Sequence, residues 1–191
     1  LARALRMPTA PEHYWHYDPD DAGVNTSGLP FHNEDGLMVQ AGWRASLPTK
    51  TRIEISPYIY RIKNYIQFDL INFVSYNIRK ARIIGIETEV SQPLGRGWSA
   101  FFNHTWQASR TRGDMFIPLF VDPLDAGFNE LPGLPRNKLN AGFRYRTRRN
   151  VSAGLFAQVV SRQKVIYNNN TLYNTRMRVR TQDGYARLDA E

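Results

Sequence analysis

The feature that most constrains this chain of 191 residues is a two-residue alternation of apolar and polar side chains, which recurs in several stretches along the sequence. In residues 36–47 the odd positions carry Leu, Val, Ala, Trp, Ala and Leu. The alternation returns in residues 84–90, 138–145 and 151–159. Successive side chains of a β-strand point to opposite faces, so each stretch predicts a strand with one apolar and one polar face.

Membrane insertion through a helix is excluded, because no stretch approaches the ~20 consecutive apolar residues that a transmembrane helix needs. A closed barrel is the other structure that satisfies backbone groups in lipid. Aromatic residues make up 13% of the chain, which suits strands that face lipid on one side and water on the other. A soluble β-sandwich with one buried face produces the same alternation and is the alternative.

The connections between these stretches alternate in length. Short turns are predicted at residues 48–50, 95–97 and 148–150, and long connections at residues 9–35, 69–78, 111–136 and 167–183. Outer-membrane barrels have this pattern of short periplasmic turns and long extracellular loops. Residues 51–68 and 79–94 also exceed the usual strand of ~5–6 residues. We therefore predict an all-β, antiparallel up-and-down meander of about eight strands, part of a transmembrane β-barrel, whose first strand is residues 1–8.

Aromatic residues follow the predicted connections. Trp43, Trp98 and Phe143 lie near short turns, whereas Tyr65, Phe68, Phe73, Tyr76 and Tyr167 lie near long connections. This distribution is typical of the two aromatic girdles of a membrane barrel, although cross-strand packing in a soluble core would explain any one of these residues equally well.

The formal net charge of +8, from 25 basic and 17 acidic residues, would also fit a nucleic-acid binder. However, the basic residues are spread along the chain and mostly alternate with apolar residues, so we expect no nucleic-acid partner. The chain has no cysteine, which excludes disulfides and cysteine-ligated zinc.

Four motifs resemble those of TonB-dependent receptor barrels and occur in the family's order. The stretch YNIRKARIIGIETE resembles the family's YxNxxxAxxxGxE strand and places Tyr76, Asn77, Gly85 and Glu87 at motif positions. The others are RMPT with Arg6 and Pro8, similar to RxPt; LPRNKLNAGFRY with Pro135, similar to PxhxlnlGlrY; and YARLD with Asp189, similar to YtlvDl. One departure is FHNE at residues 31–34, where the family commonly has LxPE.

The resemblance implies a receptor with a roughly 22-stranded barrel, occluded by an N-terminal plug domain whose energy-coupling segment contacts TonB. Residues 1–191 would form a single segment of that barrel, about strands thirteen to twenty, with the plug and the final hairpin absent and both ends interrupting strands. The implied location is the outer membrane of a Gram-negative bacterium. The expected partners are outer-membrane lipid, TonB through the missing N-terminal part, and a small metal-chelate or vitamin ligand.

Two loops carry the candidate ligand-binding residues. His13, Tyr14, Trp15 and His16 precede three aspartates, a group that could bind a metal ion or an extracellular ligand, or could pack as a loop at the membrane interface. The second loop contains an apolar run with Phe116 and Phe120. That run either folds over the barrel mouth toward a ligand or extends the neighbouring strand.

Two motif residues have a physical interpretation of their own. Gly85 would face the barrel lumen and leave room for a bulky neighbour or for the plug. Glu87 and Glu89 would share the wet face next to Arg82, either in ordinary cross-strand ion pairs or paired with arginines of the lumen or plug. Nothing around them supplies a substrate cleft, so we expect no catalysis by these two carboxylates.

The sequence thus predicts a receptor and transporter for TonB-energised uptake of a scarce solute, such as a ferric siderophore or cobalamin. It predicts no catalytic residues, no cofactor and no resident metal. The alternatives are a passive structural or adhesin-type barrel, which an upstream plug domain would exclude, and a soluble basic β-sheet binding module, which detergent-free monodispersity would favour.

Overall fold

The computed structural model describes residues 1–9, 16–18, 23–25, 32–69, 74–112, 128–147, 151–171 and 174–190. These residues form strands β1 Ala2–Arg6, β2 His16–Asp18, β3 Gly23–Asn25, β4 Glu34–Gln40, β5 Trp43–Ser46, β6 Arg52–Asp69, β7 Val74–Gly95, β8 Trp98–Arg112, β9 Asn137–Arg146, β10 Ser152–Val160, β11 Gln163–Thr171, β12 Asn174–Gln182 and β13 Tyr185–Ala190. Among them, no helix has the length and apolarity required to span a bilayer.

Eight of the strands form one antiparallel meander, and β11 and β12 pair with each other in a separate two-stranded sheet. The path of the meander is β1-β4-β6-β7-β8-β9-β10-β13, and each strand on this path is hydrogen-bonded to the next. β5 follows β4 and pairs with the same strand, β6. β2 and β3 form a short antiparallel hairpin, and β2 also pairs with β7 in parallel through His16 and Ser75. The all-β prediction and the eight-strand path are confirmed.

The two faces of the sheet have opposite chemistry. One row of cross-strand neighbours consists of Ala45, Ile53, Val90, Phe102, Ala141, Ala157 and Leu188. The residues next to these along the same strands form a row on the other face: Arg44, Glu54, Glu89, Asn103, Asn140, Gln158 and Arg187. We call these sides the apolar face and the polar face.

The apolar face exposes large hydrophobic side chains. Trp43 is 57% exposed, Phe143 51% and Leu188 68%, whereas Ser56 and Gln107 of the polar face are buried. A β-sandwich does the reverse, because it buries the apolar side of each sheet against the other. A soluble sandwich would need a second sheet packed on the apolar face, and the described residues place none there.

The short turns fall where the sequence places them. The backbone nitrogen of Lys50 donates to the carbonyl of Leu47 (2.9 Å), and Lys50 itself has a φ of 64°. In the turn between β7 and β8, Gly95, Arg96 and Gly97 all have positive φ, between 52° and 88°. Glycine adopts this backbone at no steric cost, which makes the turn compact. The third predicted turn, residues 148–150, lies outside the described residues.

The stretch 36–47, predicted as one strand, is interrupted between β4 and β5. The interruption lies opposite Pro57, whose carbonyl accepts the Ala41 backbone N–H at 3.1 Å. Proline has no N–H to return, so the reciprocal hydrogen bond is missing and the ladder breaks. The register of β5 on β6 continues that of β4, so the alternation of faces is preserved.

Three predicted long connections are wrong because they contain strand. Residues 9–35 include β2 and β3. β6 continues to Asp69 and β7 begins at Val74, within the predicted loop 69–78. Residues 167–183 largely belong to the β11–β12 hairpin, whose pairs Gln163–Gln182 and Thr171–Asn174 continue the register of β10 and β13. Backbone hydrogen bonds can extend a pair of strands beyond the residues that alternate in polarity. Such strand ends carry no apolar alternation, so the sequence pattern does not reveal them. The first strand is also shorter than predicted, at Ala2–Arg6.

Candidate functional site

The polar face is the candidate functional surface, and one ion pair lies within its central row. The Arg44 guanidinium donates two hydrogen bonds to Glu54 Oε2, from Nη2 at 2.6 Å and from Nε at 2.8 Å. In the same row, Gln158 donates to Asn140 Oδ1 at 3.1 Å. These groups make the surface hydrophilic along the width of the sheet.

A chain of hydrogen bonds crosses this face from β6 to the segment before β9. The Tyr58 hydroxyl donates to Gln107 Oε1 (3.1 Å), and Gln107 Nε2 donates to the Pro135 carbonyl (3.1 Å). Gln107 and the motif residue Pro135 are buried. The chain therefore fixes the entry into β9, and neither Tyr58 nor Gln107 was singled out in the sequence.

Gly85 makes room for the Tyr58 ring. The two residues pair across β6 and β7, and a Cβ added to Gly85 would lie 2.5 Å from the Tyr58 ring and hydroxyl. A similar close approach occurs at Gly36, where the added atom would lie 2.5 Å from the hydroxyl of Tyr60, a residue diagonal to Gly36 across β4 and β6. The prediction that Gly85 accommodates a bulky neighbour on the wet face is confirmed, and the neighbour belongs to the adjacent strand.

The predicted cross-strand ion pairs of Glu87 and Glu89 are wrong. Both side chains are exposed, and neither forms an ion pair among the described residues. Glu89 lies opposite Glu54 and Asn103, so no cation faces it directly across either strand. The nearby basic residue Arg82 belongs to the apolar face. The carboxylates of Glu87 and Glu89 are therefore exposed on the polar face without an ion-pair partner among the described residues.

A small apolar cluster covers the end of the polar face away from the short turns. Ile62, Ala81 and Leu131 are buried there, with Tyr60, Tyr65 and Ile83 packed around them. The Leu131 backbone N–H donates to Ser109 Oγ at 2.9 Å, which holds the segment leading into β9 against β8. This end of the face is thus closed by its own chain.

Asn77, the second motif residue, fastens the start of β4 to the sheet. Its Oδ1 accepts the His32 backbone N–H (3.0 Å), while its Nδ2 donates to the His32 carbonyl (3.1 Å) and to the Asn64 carbonyl (2.9 Å). Glu34 adds a fourth contact, because its Oε2 accepts the Ile66 N–H at 3.1 Å. Although the FHNE stretch lacks the family's proline, β4 begins at this point.

Replacing Asn77 by aspartate is expected to lower the free energy of unfolding by about 1–2 kcal/mol, because two donated hydrogen bonds are lost and a carboxylate faces two carbonyl oxygens. Asn137→Asp is the matched control, since the Asn137 side chain contributes only its Oδ1, to His104 Nε2 at 3.1 Å. Denaturant titration of both variants of the purified protein would measure the difference. Equal stability of the two variants would contradict the role of Asn77.

The remaining predicted site residues are dispersed. Arg6 ends β1 with Nη1 3.9 Å from Glu34, Pro8 follows it half-buried, and Asp189 of β13 accepts from Arg187 Nε at 2.8 Å. Tyr76 lies in β7 and His16 begins β2. His13, Tyr14, Trp15, Phe116 and Phe120 lie outside the described residues. Within the described ranges, no three His, Asp or Glu side chains are grouped to hold a metal ion.

One further residue of the polar face was missed by the sequence analysis. Among the described residues, the buried Asn103 Oδ1 atom has no hydrogen-bond partner, and neither do the buried hydroxyls of Ser75 and Thr111. Buried polar atoms are normally satisfied. Asn103 lies opposite Glu89 in the central polar row, so this row holds a buried acceptor next to an exposed carboxylate.

Several solved receptors share this fold. The ferric yersiniabactin uptake receptor FyuA of Yersinia pestis has a TM-score of 0.63 and 19% identity, covering 99% of this chain and 26% of the receptor. The copper transporter OprC has a TM-score of 0.65 and 18% identity, covering 97% and 27%. The ferripyoverdine receptor of Pseudomonas aeruginosa has a TM-score of 0.59 and 17% identity, covering 84% and 21%.

The chain therefore spans about a quarter of the length of these receptors. No curated protein sequence matches it. The model of the family described as "TonB dependent receptor-like, beta-barrel" matches residues 1–191. By this match over its whole length, the chain belongs to the TonB-dependent receptor-like β-barrel family.

Proposed function

We propose that this chain is a wall segment of an outer-membrane receptor that takes up a scarce solute with energy supplied through TonB. The observation that carries the proposal is the apolar face, whose large hydrophobic side chains are exposed, while the opposite face holds the polar row and buried Gln107. An exposed apolar face of this extent requires lipid as its partner. The location proposed for the protein is accordingly the outer membrane of a Gram-negative bacterium.

In this proposal the polar face lines the lumen. Glu87 and Glu89 project into it, and the buried Asn103 oxygen lacks a partner within the described residues. A plug domain supplied by another part of the receptor would meet these groups, and TonB would act through that part. The solute belongs to the class of metal chelates or vitamins such as ferric siderophores and cobalamin. Two of the similar structures, named as a ferric yersiniabactin uptake receptor and a ferripyoverdine receptor, support this class.

Recognition of the solute is assigned to the loops, with Tyr14, Trp15 and His16 first, and His13, Phe116 and Phe120 after them. A strand wall repeats the same two-faced pattern, whereas loops on a rigid scaffold bring polar and aromatic groups together. Each aromatic contact contributes about 0.5–1.5 kcal/mol beyond burial. A Tyr14→Ala, Trp15→Ala double variant is therefore expected to bind the solute about five- to a hundredfold more weakly.

The test uses the full gene product that contains this segment, in its own host. Deleting the gene is expected to abolish accumulation of one labelled chelate or vitamin from a panel, and deleting tonB is expected to do the same. Uptake that continues without TonB would identify a passive barrel instead. The double variant is compared at equal surface abundance, and unchanged affinity would remove the first loop from the binding site.

A further inference from the structure

Six basic side chains interrupt the apolar face at one end of the sheet. They come in pairs from three adjacent strands and all are exposed: Arg61 and Lys63 of β6, Lys80 and Arg82 of β7, and Arg110 and Arg112 of β8. Their immediate neighbours Ile62, Ala81 and Thr111 are buried on the other side. The six cations therefore share one face, and we call them the cationic band.

The register aligns the band in two rows. Arg82 pairs with Arg61 on one side and with Arg110 on the other, and Lys80 pairs with Lys63 and Arg112 in the same way. Directly opposed side chains start about 5 Å apart, and the rows are separated by about 7 Å along the strands. A depression of ≈ 700 Å³ is lined by all six.

Like charges directly across a sheet are destabilising, and here three follow one another in each row. One carboxylate among the described residues, Asp35, lies in line with Lys63, but the Arg3 guanidinium already binds it at 3.0 Å. None of the six cations forms an ion pair within the described part of the chain. The excess positive charge thus calls for an anion supplied from outside.

The position of the band indicates which anion. On β8 the apolar face carries Trp98, Ala100, Phe102, His104, Trp106 and Ala108 before it reaches Arg110. This length matches the ~9–11 residues with which a tilted strand crosses a bilayer. The short turn at residues 95–97 lies at one end of the apolar face, and the band lies at the other end. In an outer-membrane barrel the short turns are periplasmic, so the band lies at the extracellular end.

We propose that the cationic band binds the phosphate groups of a phosphorylated lipid in the outer leaflet, with the lipid's acyl chains along the apolar face below. An amphiphile of this kind meets both surfaces at once, whereas a soluble anion would use the cations alone. Two adjacent rows offer guanidinium and ammonium donors to more than one phosphate oxygen. The inference rests on the proposed orientation in the outer membrane and is independent of solute uptake.

The test is binding of fluorescent lipid A to the full gene product, purified in detergent, with its dephosphorylated form as the reference ligand. Each basic residue at a membrane surface contributes about fivefold in affinity, so Arg82→Gln, Arg110→Gln is expected to weaken lipid A binding by about thirtyfold. The matched control is Arg52→Gln, Lys138→Gln, which removes two exposed cations from the polar face. That variant is expected to bind within about twofold of the unchanged protein.

Three outcomes would overturn the proposal. Equal loss in both variants would assign the effect to net charge, and equal affinity for the dephosphorylated lipid would assign it to the acyl chains. Full competition by millimolar inorganic phosphate would make the band a site for soluble anions. Because the assay measures lipid binding and not transport, it can succeed or fail regardless of whether the receptor takes up the expected solute.

Discussion

Placing an arginine at Phe102 is expected to cost about 2–4 kcal/mol of folding free energy in a lipid bilayer, and this is the largest single effect we predict. Phe102 lies in the row formed with Val90 and Ala141, in the middle of the apolar stretch of β8, and is 37% exposed. A guanidinium at this depth leaves water for hydrocarbon unless its side chain reaches an interface.

The matched control is Asn103→Arg, one residue further along the same strand and on the polar face. Here the new guanidinium faces Glu89 across β7, so its charge has a partner. We expect this variant to change stability by less than about 1 kcal/mol. The difference in unfolding free energy is measured by equilibrium unfolding of both full-length variants in lipid vesicles. The folded fraction is followed by its mobility on unheated gels.

The pair of variants decides the orientation of the sheet. If Asn103→Arg were the damaging change and Phe102→Arg the tolerated one, the polar face would be the one turned toward lipid, and the proposed function would fail with it. If both were tolerated in the absence of lipid and detergent, the protein would be soluble.

The assignment of faces could be predicted from the sequence because it depends on local information alone. In β9 the alternation of Leu139, Ala141 and Phe143 with Asn140, Gly142 and Arg144 is a property of consecutive residues. The backbone period of two converts that alternation into faces without knowledge of the partner strand. The observed cross-strand rows agree with it on every strand of the path from β8 to β10.

Strand ends were less predictable because they depend on hydrogen bonding and not on side-chain pattern. The asparagines at residues 168–170 look like a loop, yet their backbone pairs with residues 175–177 in the β11–β12 hairpin. Pro57 of β6 interrupts the hydrogen bonding between the end of β4 and the start of β5, but the alternation within residues 36–47 does not predict this interruption. The side-chain pattern predicts which face a residue occupies, whereas backbone hydrogen bonding between strands determines where a strand ends.

The interactions of the candidate site needed the structure because they join distant parts of the chain. Asn77 recognises the backbone of His32, which is 45 residues away, and Tyr58 reaches Gln107 over 49 residues. The motif residues Asn77, Gly85 and Pro135 therefore support the geometry of the sheet. Their spacing in sequence could identify the family, but the partners that make each one necessary lie on other strands.

The expected result of Gly85→Ala is a loss of about 1–3 kcal/mol in the free energy of unfolding, although alanine adds one methyl group. The added carbon would lie 2.5 Å from Tyr58, so the ring must leave its place over β7. Its departure also breaks the hydrogen bond to Gln107 (3.1 Å), which holds the Pro135 carbonyl. Gly42→Ala is the control, because the corresponding carbon meets only Ser56 Oγ, at 3.5 Å.

The cause is isolated by removing the ring as well. If the clash with Tyr58 destabilises Gly85→Ala, then adding Gly85→Ala to a Tyr58→Ala background should cost less than about 0.5 kcal/mol, because no ring remains to be displaced. Denaturant titrations of the single and double variants give this coupling energy directly. An undiminished cost in the Tyr58→Ala background would mean that Gly85 is required for its backbone and not for the space it leaves, and the pairing of glycine with aromatic residues on this face would lose its explanation.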